Sequence, residues 1–265
     1  MLKQRILTAL VLLPLMLGML FYAPAALWAA FAALIALLAL WEYGRMCRLS
    51  EKQSNRYLAA SAFFMLTAYL GGWQLPPLIW FLVLLGWLAG APLWLRRKWP
   101  LPQQGNAMLL GWGLLLPFWF ALLDLRPDTA AAPKLLALMA LVWLADVAAY
   151  FVGRACGKRK LAPAISPGKS WEGALGGAAA VLVYACWLRG NGWLFENLSW
   201  PATVLAALVL TVVSIEGDLL ESWFKRSAGI KDSSSLLPGH GGVYDRTDSL
   251  IAVLAVYAAV QNLFG

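Results

Sequence analysis

Apolar residues run through the chain in nine long stretches, near 6–23, 25–42, 57–73, 76–95, 107–125, 134–153, 171–188, 200–223 and 246–263, with short polar clusters between them. A helix needs about 20 residues to cross about 30 Å of hydrocarbon, and these stretches are of that size. The pattern predicts an all-α polytopic integral membrane protein with about nine transmembrane helices joined by short loops. The first stretch, with Lys3 and Arg5 before it and Ala23-Pro24-Ala25 after it, has the outline of a cleavable signal peptide. Its apolar run, Ile6 to Tyr22, is longer than a usual signal core, so it is read as a retained helix kinked at Pro14.

Composition agrees with this pattern and narrows it. Hydrophobic residues make up 62% of the 265 positions and charged residues only 13%, with a mean hydropathy of +0.70. So few charges do not make a water-soluble shell. The 15 Trp suit a membrane protein, whose interfaces favour indole. Cys47, Cys156 and Cys186 form no spaced pair and are read as small hydrophobes.

A net charge of +8 would suit nucleic acid, but the positions of the cations argue against that partner. With the N-terminus in the cytoplasm, 18 of the 21 Lys and Arg fall on inner segments; only Arg126, Lys134 and Arg189 fall outside. That is the asymmetry of the positive-inside rule.

The acids divide the chain differently. Glu42, Glu51, Asp124 and Asp128 lie in the first half and the other nine follow, which suggests a scaffold over 1–130 and a catalytic region over 131–265. Asp146, Glu216, Asp218 and Glu221 sit inside apolar runs, where an ionisable group must face protein or a wet cavity. Ser214, Asp218, Glu221, Ser222 and Lys225 share one helical stripe, and Glu216 points away from it. A Glu221–Lys225 pair at i,i+4 accounts for two of these residues and leaves Asp218 unexplained.

Lys231 to Gly242 reads as a cytoplasmic loop, after which Asp245, Arg246, Thr247 and Asp248 open the last helix. Asp245 and Asp248 share a face and suit hard cations, although helix capping would explain either alone. Together with Asp218 and the cations Lys225, Arg226, Lys231 and Arg246, they provide both parts of a phosphoryl-transfer site: oxygen ligands for a divalent metal, and positive charge for phosphate. Gly168-Lys169-Ser170 is not a Walker motif, because Pro163 stands where that pattern needs glycine and no strand is expected before it. Lys169 remains a candidate phosphate contact. Gly173 and Gly177 are read as a helix-packing pair.

Ser222-Trp223-Phe224-Lys225-Arg226, Lys231-Asp232 and the run Pro238-Gly239-His240-Gly241-Gly242-Val243-Tyr244-Asp245-Arg246-Thr247-Asp248 form a 27-residue block. This block resembles the signature of the phosphatidate cytidylyltransferases, also called CDP-diacylglycerol synthases. Asp146 through Gly157, Ser166-Pro167, Lys169 and Glu172-Gly173 resemble a second block of the same family. The resemblance implies a bacterial inner-membrane enzyme, working as a homodimer, that condenses CTP with phosphatidate. Its products would be CDP-diacylglycerol and pyrophosphate, and it would require Mg2+, with room for a second monovalent or divalent cation.

Carried across, the resemblance places metal ligands at Asp218, Asp245 and Asp248, and further catalytic groups at Lys225, Arg226, Lys231 and Arg246. Substrate contacts are expected from Asp146, Ser166, Lys169, Glu172, Ser222, Asp232, His240, Gly241 and Gly242. Three other readings stay open: a cation-coupled transporter using the intramembrane carboxylates; another membrane phospholipid-phosphate transferase, although the D-G-x-x-A-R signature of CDP-alcohol phosphatidyltransferases is absent; and a structural membrane protein with a basic lipid-binding rim, which leaves the acidic cluster without purpose. His240, the only histidine, is expected to orient its glycine loop or donate a hydrogen bond to phosphate rather than act as a base, since phosphatidate near neutral pH is already largely a dianion.

Overall fold

The computed structural model describes residues 2–265; the side chains of Lys3 and Arg5, counted above with the inner cations, lie outside what it describes. The helices are α1 (Leu2–Tyr22), α2 (Ala25–Met46), α3 (Glu51–Leu70), α4 (Pro77–Leu85), α5 (Ala91–Arg97), α6 (Gln104–Asp124), α7 (Ala132–Cys156), α8 (Trp171–Gly190), α9 (Trp200–Ala228) and α10 (Tyr244–Phe264). A π-helical turn over Gly86–Gly90 joins α4 and α5 into one rod. Among the described residues there are thus nine rods, one for each apolar stretch.

Seven of these rods are long and apolar enough to cross a membrane. α1 contributes the shorter apolar stretch Ile6–Tyr22 among the described residues, and α3 is not one of the seven. The apolar run from residue 57 is only the later part of α3. Glu51, Lys52 and Arg56 are helical as well, because Ser50 and Gln53 form a reciprocal capping box that starts the helix before the apolar zone.

Ser170 and Ser199 cap α8 and α9 through Gly173 N–H and Ala202 N–H, and Gly229, at φ 77°, ends α9. α7 and α8 pack backbone to backbone. A Cβ on Gly173 would stand 2.7 Å from the Ala149 carbonyl, and one on Gly177 would stand 2.9 Å from that of Ala145. The glycine pair therefore has the packing role read for it. α10 lies against α9, α6 and α4, and its middle, Ile251 to Val256, is buried almost completely.

One element departs from the all-helical expectation. β1 (Lys160–Ala162) and β2 (Ser166–Ser170) form an antiparallel hairpin, with Lys160 opposite Ser170 and Ala162 opposite Ser166. Pro163 and Pro167 bar a helix here, and the edge of a two-stranded ribbon tolerates them. A strand therefore does carry Gly168-Lys169-Ser170 towards a helix. It passes into α8 without a glycine-rich turn, so no phosphate cradle of the Walker kind is formed.

Hydrogen bonds sort the loops into two ends. At one end Thr8 Oγ1 donates to the Pro238 carbonyl, Trp223 Nε1 to that of Trp99, and Arg226 Nε to that of Ile165. At the other end the Arg126 side chain donates to the carbonyls of Leu20, Met19 and Ala23, and Trp28 Nε1 donates to that of Leu122. The first end gathers the cation-rich segments around 45–56, 96–98, 154–169 and 225–246.

Candidate active site

At the cation-rich end, α7, the hairpin, α8, α9 and α10 enclose a cavity of about 520 Å³. Its polar wall is formed by Asp146, Ser166, Lys169, Asp218, Asp245, Arg246 and Asp248, all anticipated from the sequence, together with Arg154 and Ser170, which were not. Close backbone packing makes the enclosure possible. Gly217 lies directly under α10, where a Cβ would come 2.7 Å from the Asp248 carbonyl, and this contact sets Asp218 beside Asp248. Asp146, Asp218 and Asp248 all face this one cavity.

Lys169 is paired inside this group. Its Nζ stands 2.6 Å from Asp218 Oδ2, and Ser222 Oγ donates to Asp218 Oδ1 at 3.2 Å. Ser222 thus supports a cavity residue from outside the lining. Arg246 is exposed, with Nε donating to the His240 carbonyl at 2.9 Å, which leaves its terminal nitrogens free for a ligand.

Asp245 and Lys225 have other neighbours. Lys225 Nζ lies between Glu221 Oε2 at 2.5 Å and Asp245 Oδ1 at 2.7 Å. The second oxygen of Asp245 accepts from Gly242 N–H at 2.7 Å and from both the N–H and the hydroxyl of Ser233 at 2.9 Å. Asp245 therefore fastens the loop to the start of α10 without being the helix cap weighed in the sequence, since it bonds Ser233 and Gly242 and not an N–H of α10, while one of its edges reaches the cavity. Among the described residues no three His, Cys, Asp or Glu side chains are gathered tightly enough to form a ready metal cage.

The remaining anticipated residues stand outside the cavity lining. Glu172 accepts from Lys158 N–H, Arg159 N–H and Arg159 Nε, and so ties the hairpin's approach to α8. Arg226 bonds the turn of the hairpin at Ile165. Lys231 and Asp232 are exposed on the loop. His240 lies between Gly239 at φ 76° and Gly241 at φ 83°, with its N–H donating to the Leu237 carbonyl and its ring Nδ1 buried without a partner. Gly241 and Gly242 shape this turn, and Gly242 supplies one of the Asp245 contacts.

Sequence reasoning missed Glu42. This residue of α2 is fully buried and accepts four hydrogen bonds from the 233–244 segment: Ser233 Oγ, Ser234 Oγ, Val243 N–H and Tyr244 N–H. A lone acid at the end of an apolar run was the available signal.

Comparison with known proteins bears on this geometry. The model of the cytidylyltransferase family matches residues 3–264. The chain belongs to that family. It is 44% identical to the phosphatidate cytidylyltransferase of Pseudomonas aeruginosa over 263 residues, covering 98% of this chain and 97% of the relative. It is 35% identical to the Haemophilus influenzae protein of the same name, covering 97% and 98%. A Brucella suis phosphatidate cytidylyltransferase is 52% identical over 133 residues, 48% of this chain and 45% of the relative. The family assignment excludes neither end of the molecule, because the match runs through α1 and α10 alike.

Proposed function

We propose that this multi-pass membrane protein transfers the cytidylyl group of CTP to phosphatidate, giving CDP-diacylglycerol and pyrophosphate. The observation that carries the reading is the cavity itself, where carboxylates and cations meet on one wall beside an apolar groove. That groove, about 600 Å³, shares Leu161, Ala174, Thr211 and Ile215 with the cavity and continues along Trp171, Leu175, Leu208, Val212 and Leu219. It suits the acyl chains of a lipid whose phosphate lies among the charged groups.

In the reaction a phosphate oxygen of phosphatidate attacks the α-phosphorus of CTP. The bond between the α-phosphorus and the bridging oxygen breaks, and pyrophosphate leaves. The attacking group is a phosphate monoester with a second pKa of about 6, so near neutrality it has no proton to lose and needs no protein base. Arg246 presents a planar fork of donors to the nucleotide phosphates, and Lys169 moves between Asp218 and an incoming phosphate oxygen. The apolar walls of α8 and α9 limit water, whose attack would waste CTP.

Two cavity carboxylates, Asp218 and Asp248, suit a hard divalent cation such as Mg2+, which takes one or two carboxylates and completes its shell with substrate phosphate and water. Asp218 and Asp248 would hold it, with Asp146 nearby and Asp245 reaching it only by releasing Lys225. Such an ion supplies charge neutralisation on the phosphate oxygens.

The same reading orients the molecule with nine spans, the cation-rich end in the cytoplasm where CTP is found, and the C-terminus on the far side of a bacterial inner membrane. A homodimer belongs to this proposal; light scattering on the detergent-solubilised protein checks it. The test of function is a mixture of purified protein, CTP labelled at the α-phosphate, phosphatidate and Mg2+. Label appearing in lipid, with stoichiometric pyrophosphate, is the expected result. Label that stays with the nucleotide rejects the reading and returns the transporter as the alternative.

A further inference from the structure

We propose that Glu42, on α2 and 191–202 residues before the segment it holds, is a positioning residue that sets the 233–244 loop and the first turn of α10 for nucleotide binding. The proposal rests on the reading that Arg246 and this loop hold the CTP phosphates.

Two of the four donors to Glu42 are backbone N–H groups at the start of α10: Val243 N–H, 3.0 Å from Oε1, and Tyr244 N–H, 2.6 Å from Oε2. The first N–H groups of a helix have no acceptor within it, and they carry the positive end of its dipole. α10 has no side-chain cap of its own at Val243. A carboxylate from another helix therefore does what a capping side chain would do locally.

The other two donors come from the loop before it. Ser234 Oγ lies 2.5 Å from Oε1 and Ser233 Oγ 3.1 Å from Oε2. Gly242 lets this carboxylate come flush with the backbone, because a Cβ there would run into both Glu42 and Ser233 Oγ. Glu42 forms no ion pair among the described residues, so these donors are what compensate its burial. A buried carboxylate that loses its partners is strongly unfavourable, and the loop is held where it can supply them.

The restraint reaches the cavity by a short route. Ser233 Oγ stands 2.9 Å from Asp245 Oδ2 as well as 3.1 Å from Glu42 Oε2, so one hydroxyl proton is shared between two carboxylates. Asp245 in turn is held by Lys225. Fixing Val243 and Tyr244 fixes the rotation of the first turns of α10, which carry Arg246 and Asp248 into the cavity. The His240 carbonyl that receives Arg246 belongs to the same loop.

The experiment compares wild type with Glu42→Gln, Ser234→Ala, Tyr43→Phe and Arg246→Ala in detergent, reading Tm, kcat and the KM for CTP and phosphatidate separately. An amide at position 42 keeps one acceptor oxygen and sets its NH2 against one backbone N–H and one serine hydroxyl that need an acceptor. Glu42→Gln is expected to raise the KM for CTP about tenfold and lower kcat by a similar factor, with the KM for phosphatidate within about twofold. Ser234→Ala, which removes one donor and leaves the carboxylate, is expected to raise the KM for CTP about twofold to threefold and keeps the test alive if Glu42→Gln does not fold. Tyr43→Phe, the neighbour on α2 whose buried hydroxyl has no partner, is expected to match wild type.

A fraction of unfolded enzyme lowers kcat and moves neither KM. A Glu42→Gln enzyme with reduced Tm and kcat but an unchanged KM for CTP would therefore make Glu42 merely structural and overturn the proposal, as would wild-type kinetics. If Glu42→Gln does not fold, a Ser234→Ala enzyme with an unchanged KM for CTP overturns it too. If Arg246→Ala also leaves the KM for CTP unchanged, the loop does not hold the nucleotide and the underlying reading fails as well. A raised value in Arg246→Ala with none in Glu42→Gln rejects the positioning role alone.

Discussion

The two ends of the bundle use the same residue type for opposite purposes. At the end away from the cavity, Arg126 is 1% exposed, donates to three carbonyls at and just beyond the last turn of α1, and lies 5.0 Å from the ring centroid of Trp28. At the cavity end, Arg246 is exposed and has a single backbone contact. Arg126 completes hydrogen bonds that a helix end cannot make for itself. Arg246 is held at one nitrogen and keeps the rest of its fork for something that is not protein. The role of a cation in this molecule follows from how many of its donors the fold has already engaged.

The largest effect that would sharpen this contrast is expected at the carboxylates. Asp218→Asn and Asp248→Asn keep side-chain volume and remove a charged oxygen, and each should lower kcat by about 10²–10³-fold in a protein that still purifies as a folded species. Near-normal turnover in either variant at low Mg2+ would remove that residue from the site. Next comes Arg246→Lys, which keeps the charge and loses the fork. A loss of about tenfold in kcat/KM for CTP is expected, the weight of one charge-assisted hydrogen bond. If it is silent, Arg246 only anchors the loop, and the difference between the two arginines disappears.

His240→Gln should do less, staying within about threefold of wild type. Its activity should fall on the acid side through the same limb, near pH 6, because that limb belongs to the lipid phosphate as it takes up its second proton. Loss of all activity with rescue by imidazole would make His240 the base. The smallest effect on turnover is expected from Arg126→Ala. It leaves three carbonyls without their donor and should cost about 2–3 kcal/mol of stability, seen as a lower Tm, with kcat per folded molecule unchanged.

The fold was legible because a bilayer demands long apolar helices, and a run such as 134–153 has few other solutions. The hairpin was not, because Lys160 to Ser170 carries lysines and prolines in an order that a loop would use equally well. In the site, Asp146 and Asp218 stood out because a charge inside an apolar run needs a reason, and Asp248 because it shares a helix face with Asp245. The surroundings of Asp245 were hidden for a different cause: Gly242 N–H and Ser233 N–H are main-chain groups, and no side-chain pattern announces them. Glu42 was passed over because its partners lie about 190–200 residues away, beyond any periodicity, in a half of the chain whose few acids suggested a scaffold.

The Glu221–Lys225 pair has a consequence for how the protein is made. Both groups lie on α9, one helical turn apart, so that helix enters the bilayer with Glu221 already matched by its own lysine, while Glu216 and Asp218 find no ion-pair partner within it among the described residues. Asp245 joins the lysine only when α10 arrives. The last helix thus completes a cavity whose Asp146 and Asp218 are already in place, and a chain halted before Tyr244 would lack Asp248, the carboxylate that faces them. Biogenesis and competence are joined at the final step of insertion.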